Sequence, residues 1–544
     1  MATLQFKGKS AVWNHHLSVP YHTLEKDAKK SLKGTDAEEN LIIEGDNLLA
    51  LKSLLPKYQG RIKCIYIDPP YNTGNEGWAY NDNVNSPTIR EWIGKVVGKD
   101  DLTRHDKWLS MMTPRLKLLR ELLTDDGAIF VSIDNNEIHN LINLLNEVFG
   151  SDKFVGVFVW RKKEGGGQTD QYFVTEHEYI VVYKKTDSFK WLDEQIPQDG
   201  SAFSKSDKDG KYKAVKLAKW GSASRREDRP SMYFPLQAPN GKKVYPVAPD
   251  GSEGRWRVGQ KRLEGLVTDG LVEWIKRDGK WIPYEKIYFE DGEVKVIKER
   301  SIIFDLAFTG DGTKELTELF GVKDFFENPK PSELIKYLLT YSTEKDSIIL
   351  DSYAGSGTTA HAVLNLNKED SGNRKFILVQ LPEKIKEKSP AHQAGFKWVH
   401  EITQERVKRI IKNKKYKAGF SYYTLGSSID AESILTGKLP TYKEFAKYVY
   451  YLATGKNHPD EKKIKEEDSF VGKTDHQSVY LIYEKNADAL KKLAITLDWA
   501  QKTHKKDSDK KIVYAPACYL DDEALEQFNI KFVSIPYNLF ERAT

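Results

Sequence analysis

Asp68, Pro69, Pro70 and Tyr71 follow directly on an apolar run, in "RIKCIYIDPPYNTG". The two prolines fix the local backbone, so the carbonyl of Pro69 is held in one direction. That carbonyl and the Asp68 carboxylate are both hydrogen-bond acceptors, and the Tyr71 ring offers a flat face. Two fixed acceptors beside a ring suit an exocyclic amine on a nucleobase. The plain structural alternative is a rigid turn with Tyr71 packed on a neighbour. Its place at the carboxyl end of a strand, where ligands bind in doubly wound sheets, favours the chemical reading.

A second stretch, "DSYAGSGTTA", runs from 351 to 360. Asp351 closes an apolar strand, and Gly355 and Gly357 stand in the turn before a helix. Glycine lets a ligand approach the backbone closely, and a helix N-terminus favours negative groups. The turn has no Lys-Ser/Thr ending, which disfavours ATP. Ala360 stands where a third glycine of GxGxxG would be; on glycine spacing alone, NAD stays open.

The elements that must position these residues are legible in the rhythm of the chain. "LIIEGDNLLALKSLL" reads as strand, turn and helix, and "RIKCIYIDPPY" as the next strand. "DKWLSMMTPRLKLLRELL" is helical, "GAIFVSID" a strand and "NEIHNLINLLNEVFG" a helix. Strands alternating with helices predict an α/β fold with a parallel, doubly wound sheet. Between 190 and 300 the alternation fades and Trp, Tyr, Lys, Arg and Gly become frequent, which predicts an inserted domain. The rhythm resumes over 301–420 with "SELIKYLLTYS", "SIILDSYAGSG" and "KFILVQLPE". Residues 1–40 read as an irregular arm, 76–100 as a loop, 41–189 as the half that carries Asp68, and 421–544 as a small separate α/β domain.

The 544 residues are 39% hydrophobic and 12% aromatic, enough for a large core and several domains. No apolar run approaches the ~20 residues of a membrane span, and the N-terminus has no apolar signal-peptide core. Two cysteines, Cys64 and Cys518, exclude a disulfide framework and a cysteine-based zinc site, so a reduced, cytoplasmic setting is expected. His15-His16 is expected to be a surface pair rather than a metal site, and no metal is expected. A formal net charge of +5 says little by itself about a nucleic-acid partner.

DPPY together with the DxYxGxG-type stretch resembles the amino-group DNA methyltransferases that use S-adenosyl-L-methionine. DPPY precedes the glycine motif, with the insert between them, an order that resembles the beta class. "LIIEGDNLLAL", "YIDPPYNTG", "GAIFVSIDNNE", "NPKPSELI" and "KFILVQLPE" resemble the modification subunits of type III restriction-modification systems. The likeness runs from about 40 to 425. Tyr353 stands where many members have Phe, and Gln380 where many have an acidic residue.

The resemblance implies a Rossmann-like methyltransferase sheet, an inserted target-recognition domain, and adenine-N6 methylation of double-stranded DNA. It implies that Asp68, Pro69, Pro70 and Tyr71 hold a flipped-out adenine, with Asp68 also close to the cofactor. Asp351, Ala354, Gly355 and Gly357 would line the methionine end of the cofactor, with Tyr353 and Ser356 in the same turn. Lys330, Pro331 and Leu334 would lie beside it, Asp46 would approach its adenine, and Gln380, with Glu383 as a further candidate, its ribose. Arg225, Arg226, Arg229, Arg255 and Arg257 of the insert are candidate DNA contacts; a solvated surface is the plainer reading of each. Cytosine-N4 methylation, usual with Ser in place of Asp68, and methylation of RNA or of a protein glutamine, usual with Asn there, are alternatives. So is a DNA-recognition subunit serving a separate nuclease.

No nucleotide-binding GxxxxGK[ST] loop is present, so a helicase or nuclease partner would be a separate protein. A homodimer is also expected. Members of the class commonly pair, and Trp108, Met111, Met112, Leu116, Leu119 and Leu123 make an apolar arc wide enough for a shared face.

Overall fold

The computed structural model describes residues 3–74, 103–165, 172–197, 200–289, 294–429, 439–474 and 477–535. The loop expected over 76–100 lies outside them. The chain divides into two compact units: Met1–Leu192 with Arg300–Thr544, and Asp193–Glu299.

The first unit is built on a ten-stranded sheet. Its strands are β1 (Tyr21–Leu32), β2 (Leu41–Glu44), β3 (Ile62–Ile67), β4 (Leu123–Ile133), β5 (Phe154–Arg161), β6 (His177–Lys184), β7 (Ile302–Ile303), β8 (Ile348–Asp351), β9 (Lys375–Gln380) and β10 (Phe420–Ile429). Their spatial order is β1-β10-β2-β9-β8-β3-β4-β6-β5-β7. The six from β10 to β4 run parallel, while β6 is antiparallel to β4 and β1 to β10. Every residue of β3 and of β9 is buried, as expected for parallel strands covered on both faces. Along β3 the side chains alternate between two cores. Ile65 and Ile67 join the cluster that holds α1 (Asn47–Tyr58), α2 (Arg104–Leu122) and α3 (Ile138–Phe149). Cys64 and Tyr66 join the cluster with α5 (Ser332–Ser342) and α6 (Thr358–Asp370), beside which α4 (Thr309–Phe320) and α7 (Val399–Asn413) also lie. The period-2 alternation of a strand therefore feeds both helical layers.

Strands β8 and β9 step away from β3 in one direction and β4 in the other. The sheet thus changes winding between β8 and β3, and the carboxyl ends there carry Asp351 and Asp68. This is the position at which open α/β sheets open a crevice for ligands.

Residues 1–40 are not an irregular arm. Residues 21–32 form β1, which pairs with β10 along the sheet edge. Its exposed residues are Glu25, Lys26, Ala28 and Lys29. Charges on an edge strand protect it from pairing with other chains, and they are also what made it read as loop. Strand β10, on the far side of residue 420, belongs to the same sheet. The C-terminal region is not separate either. Helix α8 (Tyr442–Thr454) shares the hydrophobic cluster of α1, and the Tyr448 ring stacks on Tyr21 at 4.3 Å. A four-stranded sheet follows, Phe470–Lys473, Ser478–Leu481, Lys511–Ala515 and Ile530–Ser534, in chain order. His15 and His16 are both buried rather than on the surface.

The second unit, Asp193–Glu299, lies within the 190–300 range expected for an insert. It has its own antiparallel sheet, in the order Val272–Arg277, Lys280–Tyr288, Gly210–Lys216, Lys205–Asp207. Its core is a small cluster around Leu217, Trp256 and Leu263.

Among the described residues no helix is long and apolar enough to cross a membrane, and no group of His, Cys, Asp and Glu could hold a metal ion.

Candidate active site

The corner after β3 is braced from behind. The indole Nε1 of Trp108 donates to the carbonyl of Pro70 at 2.7 Å. Asn72 follows at φ 60°, in the left-handed region that Asn tolerates better than most residues. Its amide donates to Glu137, which also accepts from Asn140 at 2.8 Å and contacts His105 Nδ1 at 2.6 Å. Burial pushes the Glu137 carboxyl up, against the pull of these neighbours.

In front of the corner stands a compact charged network. The Tyr71 hydroxyl lies 2.8 Å from Asp68 Oδ1 and 3.1 Å from Glu178 Oε2. The Lys330 ammonium donates to Asp68 Oδ2 and to the Tyr71 oxygen, each at 2.9 Å, and lies 3.3 Å from Glu178 Oε2. It also sits 5.1 Å from the centre of the Tyr71 ring. Lys162 reaches Glu178 Oε1 at 2.9 Å. Burial opposes the charge on Lys330, but Asp68 and Glu178 outweigh it and hold the ammonium above its usual range. Burial likewise opposes ionisation of Glu178, and the Lys330 and Lys162 ammonium groups outweigh it, keeping its carboxyl below the usual range. The site therefore holds its ionised groups as mutual partners.

Glu178 and Lys162 were not singled out from the sequence. The only local signal was a glutamate opening the apolar run "HEYIVVYKK". Because β6 is antiparallel to β4, its first residues lie at the edge where the parallel strands end, and this brings Glu178 to Asp68.

The glycine turn is built as a cradle. Gly355 and Gly357 have φ of 52° and 83°, both left-handed, a conformation glycine adopts freely. Gly355 N donates to Gln380 Oε1 at 2.7 Å, and its carbonyl accepts from Thr403 Oγ1 at 2.6 Å. Asp351 Oδ1 accepts from Tyr353 N at 3.0 Å, and Oδ2 from Thr359. Burial pushes the Asp351 carboxyl up to about 7. Behind the turn, fully buried Arg406 donates to Ser356 at 2.7 Å, Thr358 at 2.8 Å and Glu315 at 2.8 Å. Glu315 in turn accepts from the backbone and hydroxyl of Ser332, tying α5 to the turn.

Several expected contacts are placed differently. The Gln380 amide is buried, its Oε1 accepting from Gly355 N and its Nε2 donating to the Leu381 carbonyl, so it stabilises the turn. Glu383 is exposed. Leu334 has no exposed surface and belongs to the hydrophobic core. Ser356 turns inward to Arg406. Asp46 caps α1, its Oδ1 accepting from Leu48 N at 2.8 Å and Leu49 N at 3.3 Å. Lys330 lies at Asp68, and the adjoining Pro331 is buried at the N-cap of α5. Ala354 is buried, and the Tyr353 hydroxyl points at Met111 and Met112. The arc of Trp108, Met111, Met112, Leu116, Leu119 and Leu123 has no exposed surface. It packs inside its own unit and offers no face to a second chain.

In the insert, Arg225 and Arg226 are about half exposed and paired with Asp250 and Glu253, each at 2.8 Å. Arg229 is exposed and Arg257 partly so. Arg255 is buried, and its Nε donates to the Ala223 carbonyl. Its role there is to close a loop, because a guanidinium turned inward can satisfy several carbonyls at once.

Residues 62–391 match the family model described as DNA methylase. The Mod subunit of the type III restriction-modification enzyme EcoPI, from Escherichia phage P1, is 37% identical over 69% of this chain and 62% of its own length. The StyLTI Mod subunit of Salmonella typhimurium is 34% identical over 68% of this chain and 57% of its own. The chain thus spans about three-fifths of the length of these two relatives. The type II methyltransferase M.KpnI of Klebsiella pneumoniae is 34% identical over 71% of this chain and 91% of its own length.

Proposed function

Because this chain belongs to the DNA methylase family, we propose that it transfers a methyl group from S-adenosyl-L-methionine to the N6 amine of an adenine in double-stranded DNA, as the modification subunit of a restriction-modification system. The observation that carries this reading is the placement of Asp68 and Asp351 at the carboxyl ends of adjacent strands, with a stacking ring beside one and a left-handed glycine turn beside the other. Asp68, rather than Ser, at the head of the motif favours adenine over cytosine.

The residues fit the cofactor. Each carboxylate oxygen has two lone pairs, so Asp351 keeps acceptor capacity for an amino group beyond its bonds to Tyr353 and Thr359. The two glycines leave backbone open to close approach. The cofactor supplies an electrophilic methyl carbon on a sulfonium, and the protein supplies the rest. The target base must leave the duplex, at a cost of a few kcal/mol. Stacking on Tyr71 contributes ~1–3 kcal/mol and a hydrogen bond to the charged Asp68 ~1.5–3 kcal/mol, which together offset the flip. The adenine amine is a poor nucleophile because its lone pair is delocalised into the ring. Acceptors at Asp68 and at the Pro69 carbonyl favour a more tetrahedral nitrogen and stabilise the positive charge that develops on it.

Transfer of labelled methyl from S-adenosyl-L-methionine to DNA, followed by methylation-sensitive sequencing of DNA from expressing cells, tests the reading and maps the site. Label on N6 of adenine in a fixed context is the expected result. Unlabelled DNA, or label in RNA or protein, overturns it.

Asp351 gives a pH dependence with a definite sign. Its carboxyl must be ionised to pair with the cofactor's ammonium, and below about 7 it is protonated in the free protein. An α-amino group keeps its proton below its ordinary pKa of about 7.7–8.0. Binding then releases one proton, so affinity should rise up to about tenfold per pH unit from pH 5 to 7 and level off above. Calorimetry across this range reads the slope, and Asp351→Asn should flatten it. A flat wild-type profile would place the ammonium elsewhere.

The insert is proposed to read the DNA sequence, with exposed Arg225, Arg226 and Arg229 among its contacts. Exchanging residues 193–299 for the insert of a relative should change the methylated context and keep catalysis. An unchanged context would place recognition in another region.

A homodimer, a separate restriction subunit and a cytoplasmic setting belong to the same proposal. The first two rest on the family resemblance; the third is in keeping with two free cysteines. Light scattering at micromolar concentration is expected to read twice the 62.4 kDa chain mass. A single-chain mass with full activity at that concentration would reject the dimer.

A further inference from the structure

We propose that Glu178 is a positioning residue that takes the Lys330 ammonium off Asp68 when the target base arrives. This rests on the methyltransferase reading and adds a step to it.

One of the groups assigned to the base, the Asp68 carboxylate, is occupied by Lys330, which also donates to the Tyr71 hydroxyl. Its Nζ donates to Asp68 Oδ2 at 2.9 Å and sits 5.1 Å from the ring centre. An ammonium hydrogen-bonded to that carboxylate takes the acceptor an exocyclic amine would take. Base and ammonium therefore compete for the same acceptor.

Glu178 resolves the competition. Its Oε2 is already 3.3 Å from Lys330 Nζ, so a small rotation about the lysine stem moves the ammonium from one carboxylate to the other. An ammonium carries three donors, and the bond to the Tyr71 oxygen, at 2.9 Å, can persist through the move. Tyr71 then stays in place: its hydroxyl accepts from Lys330 and donates to a carboxylate, which fixes the ring plane for stacking. Lys162, 2.9 Å from Glu178 Oε1, keeps Glu178 ionised to receive the charge. With the base bound, Asp68 is free to accept from the amine.

The charges also balance. Asp68 and Glu178 face Lys330 and Lys162, two negative against two positive groups. Methyl transfer moves positive charge from the sulfonium, which leaves as a neutral thioether, to the amine. Glu178→Gln would leave one carboxylate against two ammonium groups, strand Lys330 on Asp68, and oppose both capture of the base and the reaction. The double variant Glu178→Gln/Lys330→Met removes the competitor and restores an equal count of charges, one carboxylate and one ammonium.

Wild-type transfer to DNA, mapped by sequencing, first decides the underlying reading. If it fails, the methyltransferase assignment fails on its own evidence before Glu178 is tested. The probe is then a duplex carrying 2-aminopurine at the mapped adenine, whose fluorescence rises when the base is unstacked. Glu178→Gln should lower that signal and reduce kcat/KM for DNA by about 10–100-fold, with S-adenosyl-L-methionine affinity by calorimetry within about threefold of wild type. The double variant should regain at least about tenfold of the loss. A purely structural role for Glu178 would give the double variant losses equal to or larger than the single one, and that result overturns the proposal. Should Glu178→Gln lack a cooperative unfolding transition, the charge-balanced double variant is compared with wild type directly. Activity within about tenfold supports the handover, and a larger loss overturns it.

Discussion

Replacing Asp68 by alanine should reduce methyl transfer by about a hundred- to a thousandfold, the scale seen when one preorganised electrostatic contact to a transition state is removed. Cofactor affinity should stay within about threefold, since the ligand cradle is built from a different strand. The structure shows why the two effects separate. Asp68 follows β3 and faces Tyr71 and Lys330, whereas the cradle of Asp351, Gly355 and Gly357 follows β8 and is held by Gln380, Thr403 and Thr359. Removing the carboxylate leaves Lys330 bound to Glu178, so the ammonium keeps a buried partner. Asp68→Asn provides the isosteric control: it retains shape and one acceptor but not charge, and should lose nearly as much rate. Rates from labelled methyl transfer and affinities from calorimetry decide it. A parallel collapse of cofactor binding would mean that the two aspartates act as one site.

Gly355→Val should have the reverse pattern, with cofactor binding lost by about 100-fold or more and the fold retained. At φ 52° a side chain is strained whatever the space around it, and a β-branched one most of all. A Cβ there would stand 3.7 Å from Phe326, an ordinary contact, so the damage comes from the backbone rather than from a clash. Relief of that strain would move the peptide whose N–H is held by Gln380 and whose carbonyl is held by Thr403. Both are single hydrogen bonds, so the turn would shift while the core of β8, α6 and α7 stays packed. Calorimetry should show no binding at concentrations that saturate the wild type, and thermal unfolding should remain cooperative. Normal binding would remove the cofactor from this turn.

The catalytic corner, the glycine turn and the alternation that builds the sheet are all local in sequence. Their signals are proline-fixed backbone, glycine spacing and apolar periodicity, each set by residues within a few positions of one another. The extent of the insert is local too, because it interrupts that periodicity. A strand at the sheet edge is not marked in this way: β1 carries charge because one side of it meets solvent, and its pairing partner β10 begins almost 400 residues later. Helix α2 shows the same limit in another form. Its wide apolar arc is compatible with a partner chain or with burial, and only the helices and strands around it show that it is buried, with Trp108 fastened to Pro70.

The chemical groups this protein brings to bear are written locally in its chain: two fixed acceptors with a ring, and a glycine turn after an aspartate. Tertiary structure alone decided how they are charged and what they face. Lys330 reaches Asp68 across 262 residues, and Tyr71 meets Glu178 across 107. No periodicity or motif encodes contacts at such separations. They follow from the order of strands in the sheet and from β6 running against its neighbour, which puts the start of that strand beside the ends of the others. The raised pKa of Asp351 was likewise invisible in sequence, because burial by the surrounding elements, not the residue's own neighbours in the chain, raises it.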